Sequence, residues 1–260
     1  MINKANPGTN RDVVVISGTL ADAACAAIRR FARQGALIGI LGHGREALEQ
    51  ARREAQAAGG DAIALPVDVA NPGEIESASS VVERHFGPID VWINDAIAGA
   101  FTPPAAASSR RSAETAYLAV VHGTMAALKR MLPRKRGAIV QVAASYADPS
   151  LYSVDYGAKR LIQGFCESMR AELMRDACGV NLTMVEVAMR SGSHPFVGSA
   201  GWLGAPSYFA GIEAQAAAEA ICAAAGAHAA AAPKGHDIPQ GGIIAGGTRY
   251  SPGAAGSGLH

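Results

Sequence analysis

The feature that most constrains the fold is a regular alternation of two hydrophobic patterns along the chain. Short, mostly apolar runs fall at 13–17, 37–41, 62–67, 91–93, 138–142, 182–187 and 243–245. Between them lie longer stretches whose apolar residues recur three or four apart, such as Ala24, Ile28 and Phe31, or Ile75, Ala78, Val82 and Phe86. A continuous apolar run is what a strand buried on both faces requires, and the three-to-four spacing marks one face of a helix. The spacing predicts helices over 21–34, 45–58, 75–86, 111–130, 155–175 and 212–225. Gly35, Gly59-Gly60 and Gly87-Pro88 supply stop signals for the first three.

Strands that alternate with helices need crossover connections, and so a parallel sheet with helices on both faces. The expected fold is α/β: a Rossmann-type, doubly wound parallel sheet of about seven strands, in one domain over 12–247. A polar segment, 1–11, precedes it, and a Gly/Ala/Ser tail, 248–260, is expected to be flexible. The Gly-, Ser- and Pro-containing stretch 188–207 is a candidate substrate lid. Ligands of such sheets bind at the carboxyl ends of the strands, where the strand order reverses. The loops after the first, fourth, fifth and sixth strands are therefore the places to search.

Composition narrows the function classes. The chain has 260 residues, of which 49% are hydrophobic and 17% charged, which suits a well-buried domain. A formal net charge of +1 gives no global field toward nucleic acid or a membrane surface. Arg134-Lys135-Arg136 reads as a solvated turn. No stretch reaches the roughly 18 apolar residues of a membrane span, and the polar start does not resemble a signal peptide, so a cytoplasmic protein is expected. Cys25, Cys166, Cys178 and Cys222 form no C-x-x-C pair. They are expected to be buried free thiols, with neither a disulfide nor a metal site.

Eight segments follow one another between Asp12 and about Thr248: VVVISG, FARQGA, GREALE, LPVDV, GPIDVWIND, VVHGTMAAL, GAIVQV and GAKRLIQGFCESMRAEL. In this order they resemble the short-chain dehydrogenase/reductase family. The resemblance implies a nicotinamide dinucleotide, NAD or NADP, a small alcohol or carbonyl substrate, and a dimer or tetramer. It places Ser17, Gly18 and Leu20 in the cofactor turn and Asp68-Val69 at the adenine. Asn94 becomes the first residue of the loop after the fourth strand. His43 stands where many members carry an arginine for a 2′-phosphate, with Arg45 close by. Lys159 becomes the lysine that holds the ribose and lowers the pKa of a catalytic tyrosine.

Several positions depart from that pattern. The family's first turn reads T-G-x-x-x-G-x-G, whereas residues 17–24 here read SGTLADAA. Ala24 replaces the last glycine, which adds one methyl at a helix–strand contact. Asp22 replaces the middle one and puts a carboxylate where the family holds a diphosphate. Two like charges about 4 Å apart cost roughly 4 kcal/mol at an effective dielectric near 20. The blander alternative is that Asp22 caps its helix and points to water. After the fourth strand, Asp95 adds a second carboxylate and Ile97 replaces a glycine.

The family's catalytic set is Asn-Ser-Tyr-Lys, with tyrosine and lysine spaced Y-x-x-x-K on one helix face. The stripe Ile162, Phe165, Met169 and Leu173 fixes the register that makes Lys159 the lysine. Four residues earlier stands Asp155, expected to be its ionised i,i+4 partner. Tyr156 falls three residues before Lys159, and Tyr152 offers another hydroxyl. Ala144 occupies the serine position with Ser145 next to it, and the asparagine position falls near Ala116.

Three readings remain, with catalytic candidates Lys159, Tyr156, Ser145 and Asp155. The departures favour a pseudoenzyme, non-redox or silent-subunit, that binds a small-molecule ligand. It would pair through the two long helices as a homo-oligomer or with an active relative. The second reading is an NAD(P)-dependent oxidoreductase with Tyr156, Lys159 and Ser145 in shifted geometry. The third is acid–base chemistry by Asp155, Asp95 and Lys159 without a nicotinamide. Phe196, His194 and Trp202 in the lid would suit an apolar or aromatic ligand.

Overall fold

The apolar runs become strands, and the periodic stretches become the helices between them. The computed structural model of the protein describes residues 11–18, 20, 22–96, 107–146, 153–189, 212–226 and 243–245. At 107–110, 112, 144–146, 153–156, 188–189, 212–213 and 243–245 it describes the backbone alone. The elements are β1 (Val13–Gly18), α1 (Asp22–Arg33), β2 (Leu37–Gly42), α2 (Arg45–Ala57), β3 (Asp61–Pro66), α3 (Pro72–Phe86) and β4 (Val91–Asp95). They continue as α4 (Ala107–Met131), β5 (Gly137–Tyr146), α5 (Ser153–Arg175), β6 (Val180–Met189), α6 (Ile212–Gly226) and β7 (Ile243–Ala245).

The strands form one parallel seven-stranded sheet in the order β3-β2-β1-β4-β5-β6-β7. The order reverses between β1 and β4, so the carboxyl ends of these two strands lie side by side. Side chains alternate across the sheet with the strand period of two. Val14 and Ile16 join the core under α1, α2 and α6, whereas Val13 and Val15 join the core under α3, α4 and α5. Both faces of β1 are therefore covered, which is why its apolar run is continuous.

β5 and β6 run further than the sequence pattern predicts. They stay paired through Ala144↔Val187, Ser145↔Ala188 and Tyr146↔Met189. Neither strand contains a proline to interrupt the ladder here, so the backbone hydrogen bonds continue. β6 thus takes the first two residues of the expected lid. The rest of that stretch, with His194, Phe196 and Trp202, lies outside the described residues, as do segments 1–10 and 248–260.

Two other expectations are corrected. Arg134-Lys135-Arg136 is more than a solvated turn. Lys135 takes a left-handed conformation, and Arg134 and Arg136 come within 3.8 and 3.6 Å of the Asp90 carboxylate. Asp90 also accepts a hydrogen bond from the Val13 N–H at 3.1 Å, so this cluster ties the start of β4 to β1. The four thiols are free as expected, but only Cys166 is fully buried. Cys25, Cys178 and Cys222 are half-buried. Burial pushes Cys25 and Cys222 up to about 11 and Cys166 to about 12, so these thiols are inert rather than nucleophilic at neutral pH.

Glu76 ties α3 to α4. It meets Lys129 at 2.8 Å and Arg130 at 3.0 Å, and Arg130 also comes within 3.2 Å of Glu83. Hydrogen bonds from Arg130 and Lys129 pull the Glu76 carboxyl down to about 2, from an ordinary value of 4.5. A depressed folded-state pKa stabilises at pH values above the unfolded value, and that stability disappears as pH falls toward 2. More than a third of the Glu76 side chain is exposed, which limits its contribution to about 1 kcal/mol. Glu76→Gln is expected to lower the melting temperature at pH 7, with the gap to wild type closing below about pH 4. A pH-independent gap would contradict this assignment.

Candidate active site

The switch point puts Gly18 at the end of β1, in register with Gly42 of β2 and Asp95 of β4. Gly18 has φ +141°, and a Cβ built there would lie 2.1 Å from the Asp95 carbonyl oxygen. Glycine is required here by the neighbouring strand itself. Leu20 follows in a left-handed conformation, φ 58°, and packs against the core, and α1 then starts at Asp22. Ala24 is buried in that core, so the extra methyl at this position is accommodated as packing.

Two carboxylates gather at this turn. Asp95 is 3% exposed at the end of β4, and Asp22 occupies the first turn of α1. Cys25, one turn into α1, donates its thiol to the Leu20 carbonyl at 3.3 Å. After burial itself and Glu54, the nearby charges of Asp95 and Asp22 help to raise that thiol. Ser17 is buried alongside, and its hydroxyl has no hydrogen-bond partner among the described residues.

Asn94 is 2% exposed and has its amide committed to the fold. It accepts from the Trp92 indole N–H at 2.7 Å and donates to the Thr124 hydroxyl of α4 at 3.1 Å. Gly123 lets α4 come this close, since a Cβ there would lie 2.1 Å from Asn94 Oδ1. Gln141 of β5 adds a hydrogen bond to the Asn94 carbonyl at 3.4 Å. Asn94 therefore joins β4 to α4 through its side chain. The sequence contained the signal for this: Trp92 and Asn94 are two apart, and so on the same face of one strand.

The remaining cofactor candidates lie along the same edge. His43 and Asp68 are exposed, and Val69 is buried. Asp68 closes its own turn by accepting from the Ala70 N–H at 2.9 Å. Its own N–H donates to Glu74 at 2.8 Å.

α5 is helical from Ser153, and its buried stripe of Ala158, Ile162, Cys166 and Leu173 confirms the expected register. At 100° per residue, Asp155 and Tyr156 start about 40° and 60° to opposite sides of Lys159. The side chains of Asp155, Tyr156 and Ser145 lie outside the described ones. Ser145 belongs to β5, opposite Ala188. No asparagine occurs anywhere in α4, so the family's amide is missing whatever the helix register.

The described partner of Lys159 is a residue the sequence reading missed. Its ammonium lies 3.1 Å from the carboxylate of Glu186 on β6, with side chains 13% and 24% exposed. The missed signal was a lone acid in the apolar strand VNLTMVEVAM.

The pattern of the short-chain dehydrogenase family model matches residues 12–194, about 70% of the chain. This chain belongs to the short-chain dehydrogenase family. The chain is 27% identical over 179 residues to the uncharacterised oxidoreductase YxnA of Bacillus subtilis, covering 66% of this chain and 50% of that protein. It is 31% identical over 172 residues to the dehydrogenase/reductase SDR family member 7B of Bos taurus, covering 62% and 53%. The chain thus spans about half the length of these curated relatives. Its fold is similar to that of a metagenomic short-chain oxidoreductase solved in complex with NADP, with TM-score 0.63 and 22% identity over 82% of this chain and 90% of that one. Among the described residues, no helix is long and apolar enough to cross a membrane, and no group of three or more acids, histidines or cysteines could hold a metal.

Members of this family generally bind a nicotinamide dinucleotide, so the residues present can be tested against one. The fold supplies the turn and the lysine. The donor set does not fit: the turn carries Asp22 and Asp95 where negative charge must be received, and Lys159 faces Glu186.

Proposed function

We propose that this member of the short-chain dehydrogenase family is a non-redox protein, working as a ligand-binding or silent subunit. The observation that carries the reading is the buried Asp95 carboxylate beside Gly18, with Asp22 at the start of the following helix. A diphosphate at this turn would meet two like charges. At roughly 4 Å and an effective dielectric near 20, each such contact costs about 4 kcal/mol, and part of that suffices to weaken binding tenfold. The missing asparagine on α4 supports the same reading.

A partner chain is part of the proposal. α4 and α5 pack together and leave Leu118, Met125 and Leu161 exposed, the last at 63%. Leu118 and Met125 are seven apart and share one face of α4. A second copy, or an active relative, would cover them.

One observation favours a second reading. α5 is helical through Tyr156 and Lys159, so a phenol starts from the turn preceding the ammonium. In that case the protein is an NAD(P)-dependent oxidoreductase of a small hydroxyl or carbonyl compound, with Ser145 at the end of β5. Titration of the protein with NADH and NADPH, followed by nicotinamide fluorescence, separates the two. We expect no saturable binding in the micromolar range. Micromolar binding, with turnover that Tyr156→Phe abolishes, would establish the second reading and overturn the first.

A further inference from the structure

The Lys159–Glu186 pair has no counterpart in the sequence pattern of catalytic residues, and the fold gives it a definite setting. Lys159 projects from α5, which packs on β5 and β6. Glu186 comes from β6, where its register neighbours are Ala143 on β5 and Ile244 on β7. No other cation pairs with Glu186 among the described residues. Both side chains are more than three-quarters buried, in a region where a charge is retained only when it is paired. The pair also lies near the carboxyl ends of the strands, the edge at which this fold receives ligands.

We propose that Glu186 is an internal competitor for Lys159: a carboxylate from β6 that occupies the ammonium a dinucleotide ribose would otherwise engage. The proposal rests on the non-redox reading and extends it from the diphosphate turn to the opposite end of the site. A ligand approaching Lys159 must displace a charged partner at 3.1 Å, or share the ammonium with it. Replacing the carboxylate with the isosteric amide removes the competing charge and keeps the shape.

The test uses the full chain with Glu186→Gln, Lys159→Gln and the double variant. Two quantities are read: the acylation rate of Lys159 by an amine-reactive reagent, from peptide mass spectrometry, and the affinity for NADH and NADPH, titrated into the millimolar range. Glu186→Gln is expected to raise the acylation rate and the dinucleotide affinity, each by about tenfold, as expected for loss of one charged competitor. The affinity gain should vanish in the double variant. If Glu186→Gln does not fold, Glu186→Asp keeps the charge but draws it back by one methylene, and a smaller rise in both quantities is then expected, with no rise overturning the proposal. Unchanged or reduced affinity in Glu186→Gln, or a gain that persists without Lys159, would overturn the proposal. Micromolar binding by the wild type would instead overturn the non-redox reading, so the two failures are distinguishable.

Discussion

Gly18→Ala is expected to remove a large part of the protein's stability. The substitution asks an L-residue to hold φ +141° and places its Cβ 2.1 Å from the Asp95 carbonyl oxygen and 2.9 Å from its carbonyl carbon. These are backbone atoms of the neighbouring central strand, so no side chain can swing aside. β1 pairs with both β2 and β4, and separating it from β4 breaks the middle of the sheet. Backbone strain and overpacking together cost about 3 kcal/mol or more, against a total stability of roughly 5–15 kcal/mol. Gly44→Ala is the control. Gly44 also has a positive φ, +96°, but nothing lies within 4 Å of its Cβ position. It should lose only the conformational part, about 1 kcal/mol. Urea denaturation reads both, and equal losses would show that the contact with Asp95 is not what fixes Gly18.

Asn94→Leu is expected to cost about 3 kcal/mol, with little effect specific to ligand binding. The change leaves two buried polar groups without partners, the Trp92 indole N–H and the Thr124 hydroxyl. An unsatisfied buried group costs about 1–3 kcal/mol, and a branched side chain is crowded against Gly123 as well. Thr124→Val should lose less, about 1 kcal/mol, because only the Asn94 amide hydrogen is orphaned. A variant that keeps wild-type stability but loses a ligand would show that the Asn94 amide faces the site after all.

These two residues show how far a sequence can be read. The elements were legible because periodicity is local: the stripe on α5 and the run in β1 carry their own burial pattern. Gly18 was legible for the same reason, as the one glycine left in a turn whose position the strand fixes. The roles of Asn94, Lys159 and Arg134 were not legible. Each is decided by a partner far along the chain: Thr124 on α4, Glu186 on β6, and Asp90 before β4. The sequence reading gave Lys159 a neighbour on its own helix, Asp155. The fold also brings β6 beneath α5, and an acid 27 positions away becomes its described partner. The ends of β5 and β6 were set too short because Ala144, Ser145 and Ala188 carry little strand signal of their own, and the paired neighbour shows that the ladder continues.

The central claim is that carboxylates at the β1–α1 turn keep a dinucleotide out of a fold otherwise shaped to receive one. The most direct test removes those charges and leaves the shapes alone. Asp22→Asn, Asp95→Asn and the double variant are titrated with NADH beside the wild type, with melting temperatures to confirm folding. We predict that each single change raises affinity by about tenfold and that the double variant binds tightest. Wild-type binding in the micromolar range, or variants no tighter than wild type, would contradict it.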